Sequence, residues 1–239
     1  MHDSKDPAFR FGVGHGTPVL SGGSRSVGSP ALPGFLVLAD HRSSLYRRFG
    51  KRSLDLVLGF LLALLSLPVV LVVALALRRE SGLPVFTRSI RLGRNGKPFV
   101  FYKFRSVSPE VLAEGGEEDL GSAPVYPHDP RVTPLGGWLR RTSLDELPQI
   151  WNVLRGEMSL VGPRPPYPEE AAHYARWQEQ RFQVKPGLTC LWQVSGRSKL
   201  PGDEWVRLDI QYARNLSLLL DLKLLIRTVP AVLSREGAY

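Results

Sequence analysis

Cysteine is almost absent from this 239-residue chain, which contains a single one, Cys190. One thiol excludes an internal disulfide and argues against a cysteine-ligated metal site. Acidic residues are also few, with 22 Asp and Glu against 31 Lys and Arg, which gives a formal net charge of +9. Such an excess suits nucleic acid, anionic lipid headgroups or phosphorylated substrates, and charge alone does not choose among these three partners.

Charged side chains are missing from residues 56–77, most of which are Leu, Val or Ala. About 20 apolar residues are enough to cross a bilayer core as a helix. A buried helix of a soluble protein is the alternative, but such helices seldom lack a polar stripe over this length. We therefore predict a membrane helix within residues 49–80.

Two features of this segment predict a bend rather than a simple crossing. Pro68 lies near the middle and removes a backbone hydrogen bond, and the hydroxyl of Ser66 can satisfy a freed carbonyl. Lys and Arg collect on the cytoplasmic side of membranes, and here they flank both ends, at Arg47, Arg48, Lys51, Arg52, Arg78 and Arg79. We expect a re-entrant helix hairpin that enters, bends at Pro68 and returns, with a kinked spanning helix as the alternative.

The rest of the chain divides into a leader and a polar domain. Residues 1–48 are rich in Gly, Ser, Pro and Arg, which predicts a disordered leader. Residues 81–239 are predicted to form an α/β domain, mostly helical with a small sheet near residues 99–105. Within it, residues 215–233 carry apolar side chains at helical spacing, typical of an amphipathic helix that lies at the lipid interface or packs on the core.

Asp145 and Glu146, the acidic pair, have a structural interpretation and a catalytic one. Thr142 or Ser143 could cap a helix through residues 150–154, and acidic side chains in a first helical turn are stabilised by the helix dipole. On the other hand, an Asp carboxylate is a competent nucleophile toward phosphorus. Mg²⁺ binds carboxylate together with phosphate oxygens, so the neighbouring residues must decide between the two.

Basic residues surround the acidic pair along the sequence. Lys103 and Arg105 are two residues apart on the predicted strand and hence on one face. Arg140 shortly precedes the pair, Arg164 lies in a loop rich in Pro and Gly, and Lys185 begins a second such turn. Arginines bind phosphate oxygens in a bidentate manner. Cations and carboxylates, with no candidate Ser/His/Asp set, favour phosphoryl transfer over acyl transfer.

Six ordered motifs carry a resemblance to a known family. They are residues 103–106, 129–133, 143–149, 158–165, 185–189 and 196–197. Together they resemble the signature of the bacterial sugar transferase family, the monotopic polyprenyl-phosphate phosphoglycosyl transferases. The resemblance covers the chain from about residue 51 onward. It implies a catalytic domain facing the cytoplasm at the bacterial inner membrane, anchored in the inner leaflet of the bilayer by a re-entrant helix broken at Ser66 and Pro68.

The resemblance also implies a reaction in two steps. Asp145 attacks the β-phosphate of a UDP-sugar and expels UMP, and undecaprenyl phosphate then takes the phosphosugar from the aspartate. Asp145 and Glu146 hold Mg²⁺. The phosphates are contacted, or the acidic pair oriented, by Lys103, Arg105, Arg140, Arg164 and Lys185. Galactose is the expected sugar, with glucose or an N-acetylated sugar as alternatives, in the first membrane step of exopolysaccharide synthesis; a homodimer is left open.

Two other functions compete with this hypothesis. A membrane-tethered nucleic-acid binder would gather cations and aromatic side chains on one face, whereas many cations here flank the apolar segment or lie beside carboxylates, so no nucleic acid is expected as a partner. A catalytically silent scaffold of a polysaccharide export complex would use the acidic pair only to cap a helix. Release of UMP from a UDP-sugar distinguishes the enzyme from the scaffold.

Overall fold

The fold is described from a computed structural model for residues 45–113, 129–195 and 203–234. The predicted leader up to residue 44 and the sixth motif, at residues 196–197, lie outside the described residues. Within them the chain is mostly helical and contains two sheets of two strands each. The prediction of a mostly helical domain with little sheet is confirmed.

The predicted membrane segment forms one long helix. A π-helical turn at Tyr46–Gly50 leads into α1 at Lys51–Ser81, which continues through Pro68. The Ser66 hydroxyl donates to a carbonyl in the preceding turn at 3.2 Å, as expected of a serine that supports the backbone near a proline. Because α1 is a single uninterrupted helix, the predicted break into a hairpin is not confirmed.

The middle of α1 presents its apolar side chains outward. Leu65 is 76% exposed and Val72 is 68% exposed, and most of the Leu and Val residues between them are exposed as well. Soluble proteins rarely leave so large an apolar surface uncovered. Tyr46–Ser81 is long and apolar enough to cross a membrane. The length of α1 and its exposed apolar surface fit a helix that associates with a membrane.

Both ends of α1 nevertheless pack on the same domain. Near its start, the Lys51 ammonium donates to the Val161 carbonyl at 2.9 Å. Near its end, Leu77 is buried in a cluster with Phe104 and Leu139. The exposed apolar stretch therefore lies between two attachments to one folded body.

The first sheet is a hairpin that follows α1. β1 at Phe86–Leu92 and β2 at Pro98–Phe104 pair antiparallel along their whole lengths. β2 matches the strand predicted near residues 99–105. Its inward Phe99 and Phe101 enter the main core. Their partners there include Val153, Met158, Leu160, Tyr212 and Leu224.

The next helices are short. α2 spans Pro109–Ala113 and α3 spans Pro134–Thr142. The Thr133 hydroxyl accepts from the Gly136 amide at 2.9 Å, the bond of an N-cap. Gly136 has no space for a side chain, because a Cβ there would lie 1.9 Å from the Ser106 carbonyl oxygen. α3 is thereby held against the end of the β1–β2 hairpin.

The acidic pair lies between two helices rather than in the first turn of one. Ser143 ends α3 with a left-handed φ of 56°, and a 3₁₀ turn at Leu144–Glu146 follows. α4 begins afterwards, at Gln149–Arg155, with no side-chain cap. The predicted capping of a single helix by Thr142 or Ser143 is wrong, because the positive φ of Ser143 terminates α3 and starts a separate turn.

The second sheet pairs two distant segments. β3 at Ser159–Val161 and β4 at Gly187–Thr189 run parallel. Between them lie α5 at Pro168–Ala171 and a 3₁₀ segment at Gln178–Gln183, and a further 3₁₀ turn at Trp192–Val194 follows β4. These short elements enclose the loop that carries Arg164.

Two helices close the described chain. α6 spans Glu204–Asn215 and α7 spans Leu218–Ser234. α7 buries Asp221 and Leu224. Its other face exposes apolar side chains at Leu218, Leu219, Leu222, Ile226, Val229 and Leu233. The predicted amphipathic helix within residues 215–233 is confirmed.

Candidate active site

The two carboxylates of the acidic pair share one cation. The Lys103 ammonium of β2 lies 3.6 Å from a carboxylate oxygen of Asp145 and 3.6 Å from one of Glu146. The three side chains are largely buried, with 14%, 8% and 20% of their surfaces exposed. A lysine between two carboxylates offsets their mutual repulsion. The structure thus brings three of the predicted site residues together.

The acidic pair is also attached to α1. Leu144 and Leu147, which flank it, pack on the cluster that contains Val73 and Leu77. These two residues belong to the last third of the membrane-associated helix. The carboxylates are therefore held beside the point where α1 leaves its exposed apolar stretch.

Arg140 lies on the last turn of α3, just before the acidic pair. Its Nε donates to the Ser106 hydroxyl at 2.7 Å. Arg140 also lies close enough to Asp129 to lower the pKa of that carboxyl. The larger cause is Arg131, whose hydrogen bonds bring the pKa of Asp129 to about 2. The first half of the site is thus a cluster of charges around the end of β2.

The spacing of Arg105 from Lys103 predicts a shared face toward phosphate, but Arg105 binds the end of α1 instead. β2 ends at Phe104, and the Arg105 side chain is fully buried. Its Nη2 donates to three acceptors at the end of α1, the Ser81 hydroxyl at 2.8 Å and the Leu77 and Gly82 carbonyls at 3.4 Å each. Its Nε and Nη1 have no hydrogen-bond partner among the described residues. The guanidinium stabilises the C-terminal end of a helix, where carbonyls are unpaired and cations are favoured.

Arg164 follows β3 in a loop whose backbone carbonyl accepts from the buried Arg181 at 2.7 Å. Burial raises the pKa of the Cys190 thiol, and the charges of Arg164 and Glu146 act on that pKa in opposite directions. The contact of Arg164 with phosphates bound at the acidic pair stays a prediction.

Lys185 lies at the opposite end of α4 from the acidic pair. A Cβ built on Gly156, just after α4, would lie 3.4 Å from the Lys185 Nζ and 3.3 Å from the Arg52 guanidinium. Burial and the nearby Arg52 lower the pKa of Lys185. The charged groups near Lys185 thus include Arg52 and Asp55 of α1, and its predicted phosphate contact stays a prediction.

Sequence reasoning missed a buried amide beside the acidic pair. Gln149 is 2% exposed, and its Nε2 has no hydrogen-bond partner among the described residues. It follows Asp145 by four residues along a nearly continuous helical path, a spacing that brings side chains to one face. That spacing was the signal available in the sequence. Ser106, which binds Arg140, gave no signal beyond its place in the first motif.

The acidic pair can supply part of a magnesium site. Within residues 45–113, 129–195 and 203–234, no group of three or more His, Cys, Asp or Glu side chains is arranged to hold a metal ion. Mg²⁺ is commonly bound through one or two carboxylates together with substrate phosphates. Asp145 and Glu146 fit that kind of site, in which a bound substrate completes the ligands.

Comparison with known families agrees with this geometry. The family model described as bacterial sugar transferase matches residues 46–235. The chain belongs to the bacterial sugar transferase family. The matched region begins with the helix that precedes α1 and includes every predicted site residue.

Three similar proteins have names that include a sugar, and two of these names include undecaprenyl phosphate. The UDP-galactose-lipid carrier transferase of Erwinia amylovora is 43% identical over 84% of this chain and 43% of its own length. The undecaprenyl-phosphate galactose phosphotransferase of Salmonella typhimurium is 40% identical over 80% of this chain and 42% of its own length. The UDP-glucose:undecaprenyl-phosphate glucose-1-phosphate transferase of Caulobacter vibrioides is 43% identical over 79% of this chain and 72% of its own length. This bacterial sugar transferase therefore spans less than half the length of the first two of these relatives.

Proposed function

We propose that the chain transfers a hexose 1-phosphate from a UDP-sugar to undecaprenyl phosphate and releases UMP. The observation that carries the proposal is Lys103 between the Asp145 and Glu146 carboxylates, beside the end of the membrane-associated helix. A partly buried carboxylate among cations at a lipid surface suits a reaction between a soluble donor and a lipid acceptor. The names of the relatives support galactose first and glucose second.

In the first step, a carboxylate oxygen of Asp145 attacks the β-phosphorus of the UDP-sugar. The bond from that phosphorus to the bridging oxygen breaks, and UMP leaves with the bridging oxygen and its electron pair. Lys103, which lies 3.6 Å from both carboxylates, and Arg140, in the last turn of the helix that precedes them, would bind the phosphate oxygens on which charge develops. The product is a phosphosugar on the aspartate.

In the second step, a phosphate oxygen of undecaprenyl phosphate attacks the same phosphorus. The bond from phosphorus to the Asp145 oxygen breaks, which restores the carboxylate and gives an undecaprenyl diphosphate hexose. The exposed middle of α1 and the exposed face of α7 would keep the acceptor in the lipid near the acidic pair. This product is the first lipid-linked intermediate of an exopolysaccharide.

Magnesium belongs to the same proposal. Asp145 and Glu146 would hold it, and it would neutralise charge on the donor phosphates when bound. Lys103 already neutralises part of the charge of the two carboxylates, which keeps them close together in the absence of ligand.

The test is UMP release by the membrane-extracted full chain with UDP-galactose and undecaprenyl phosphate. Asp145→Asn should lower the rate by on the order of 10³-fold or more, because the nucleophile is lost. Asp203→Asn, at an exposed aspartate, is the matched control. Radiolabelled UDP-galactose without acceptor should leave label on the protein and not on the Asp145→Asn variant. Unchanged UMP release in that variant contradicts the proposal and favours the inert scaffold.

We propose further that α1 is re-entrant, with both ends on the cytoplasmic face. Lys51 and Leu77, near the two ends of α1, pack on one domain. A straight helix of 31 residues would extend about 46 Å. If such a helix crossed a bilayer core of about 30 Å, its two ends would lie on opposite sides of the lipid. One polar domain could not then contact both ends. The two contacts therefore support a helix that enters the bilayer and returns to the same side.

Thiol labelling in whole cells and opened membranes tests this topology. Ser53→Cys and Arg79→Cys place thiols near the two ends of α1, and the native Cys190 is buried and contributes little background. A membrane-impermeant reagent should label both variants only after the cells are opened. Labelling of one of the two in intact cells would establish a spanning helix.

A further inference from the structure

The loop that carries Arg164 has too few N–H groups to pair with its own carbonyl oxygens. Three of its four residues, 163–166, are prolines, which have no N–H to donate. Buried carbonyl groups without a hydrogen bond are costly. The carbonyl oxygens of this loop, which we name the proline loop, must therefore find donors elsewhere in the domain.

Each of the four carbonyls has such a donor. The Gly187 amide donates to Pro163 at 2.9 Å, and the Leu92 amide donates to Pro166 at 3.0 Å. The other two donors are side chains. Arg181 donates to the Arg164 carbonyl at 2.7 Å, and Arg91 donates to the Pro165 carbonyl at 3.1 Å. The two central residues of the loop are thus held by two guanidinium groups.

Both arginines are almost inaccessible to solvent, at 2% exposure each. The Arg91 guanidinium lies 3.3 Å from the centre of the Tyr167 ring and 5.1 Å from that of Phe101. Burying a guanidinium is expensive, and an apolar residue of similar volume often packs at no loss of stability. Packing alone therefore does not account for an arginine here, whereas a donor for the loop carbonyl does.

Arg181 is compensated by a carboxylate that also reaches the loop. Asp209, fully buried, accepts from Arg181 at 2.5 Å. Burial raises the pKa of Asp209, while Arg181 and the backbone N–H of Arg164 oppose that rise. Arg181 donates to the carbonyl of Arg164, and the carboxylate that compensates Arg181 lies near the backbone N–H of the same residue.

We propose that Arg91 and Arg181 are positioning residues that hold the proline loop so that Arg164 meets the phosphates bound at the acidic pair. The proposal rests on the proposed function, because it assigns Arg164 to that site. Neither arginine needs to contact substrate. Their effect on the reaction passes through Arg164.

The experiment is a double-mutant cycle between positions 91 and 164. UMP release and thermal stability are measured for Arg91→Met, Arg164→Met and the double variant. We expect Arg164→Met to lower kcat/KM for the UDP-sugar by roughly 100-fold and Arg91→Met by about tenfold, since a small misplacement of a binding group is costly. If Arg91 acts through Arg164, the double variant should be no worse than Arg164→Met alone.

The proposal is overturned if the fold-loss in kcat/KM of the double variant equals the product of the two single fold-losses. In that case Arg91 affects the reaction independently of Arg164, as a merely structural residue would. Full activity of Arg164→Met overturns it too, even if Asp145→Asn is inactive and the proposed function stands. Arg88→Met is the matched control, because Arg88 is exposed on the same strand and should leave kcat/KM unchanged. If Arg91→Met does not fold, Arg91→Lys and Arg181→Lys replace it, since each keeps the charge but weakens the hold on the loop carbonyl.

Discussion

The cations of this domain fall into two groups with different partners. Lys103 and Arg140 contact side-chain oxygens near the acidic pair, and Lys103 keeps part of its surface open to solvent. Arg91, Arg105 and Arg181 are buried to 2% exposure or less and donate to backbone carbonyls. The first group can exchange its partners for a phosphate, whereas the second cannot without exposing unpaired carbonyls. Position in a basic motif therefore does not by itself identify a phosphate ligand.

Among the replacements that test this difference between the two groups of cations, that of Lys103 should have the largest effect on activity. Lys103→Met removes the charge between the two carboxylates and a binding group for the donor phosphates, so UMP release should fall by about 10²- to 10³-fold. The melting temperature should also fall, because two largely buried carboxylates lose the cation that offsets their repulsion, so the rate is compared per folded molecule. Arg88→Met, on the opposite strand of the hairpin, is the control for stability and rate. An active Lys103→Met protein would remove the distinction between the two groups.

Replacement of Arg105 should affect stability rather than catalysis. Arg105→Met leaves three acceptors at the end of α1 without their donor, which should cost about 1–3 kcal/mol of the free energy of unfolding. Thermal denaturation in detergent measures this loss, and UMP release per folded molecule should be retained. A variant that melts like the parent but is inactive would instead make Arg105 the phosphate ligand predicted from sequence.

The smallest expected effect concerns Asp129, which binds an arginine at the surface. Hydrogen bonds from Arg131 lower the pKa of Asp129 from its usual 3.8 to about 2. A carboxyl group whose pKa is lower in the folded state than in the unfolded state stabilises the fold above pH about 4. This stabilisation disappears as the pH falls through about 2. The stability difference between the parent and Asp129→Asn should be under about 1 kcal/mol at pH 6 and vanish near pH 2. A difference that does not change with pH would rule out the ion pair as its cause.

The sequence predicted the elements whose signal is local. The apolar run of α1, the aromatic strand β2 and the amphipathic α7 each carry a periodicity or composition that needs no distant partner. The structure also brings Lys103 together with Asp145 and Glu146, three residues singled out by their types and order. Their roles in catalysis and phosphate binding stay predictions.

The failures concern where side chains point. The sequence predicted that Arg105 lies on the phosphate-binding face of β2 with Lys103. β2 ends at Phe104, and the Arg105 guanidinium donates to the end of α1 instead. The helix cap expected at Ser143 became a helix end, because that residue adopts a positive φ. The sequence did not indicate the contacts of Arg91 and Arg181, because their partners are backbone carbonyls distant in sequence. Long-range contacts of this kind leave no pattern in a single chain.

The ion pair at the start of α1 has a mechanical consequence. Lys51 binds Asp221 of α7 at 2.7 Å, and Tyr212 donates to the same carboxylate. This contact joins α1 and α7, the two helices with exposed apolar faces, so neither can move along the bilayer normal without the other if both lie in lipid. In the proposed reaction, Asp145 would then stand at a fixed height relative to the lipid, and undecaprenyl phosphate would have to bring its phosphate to that height.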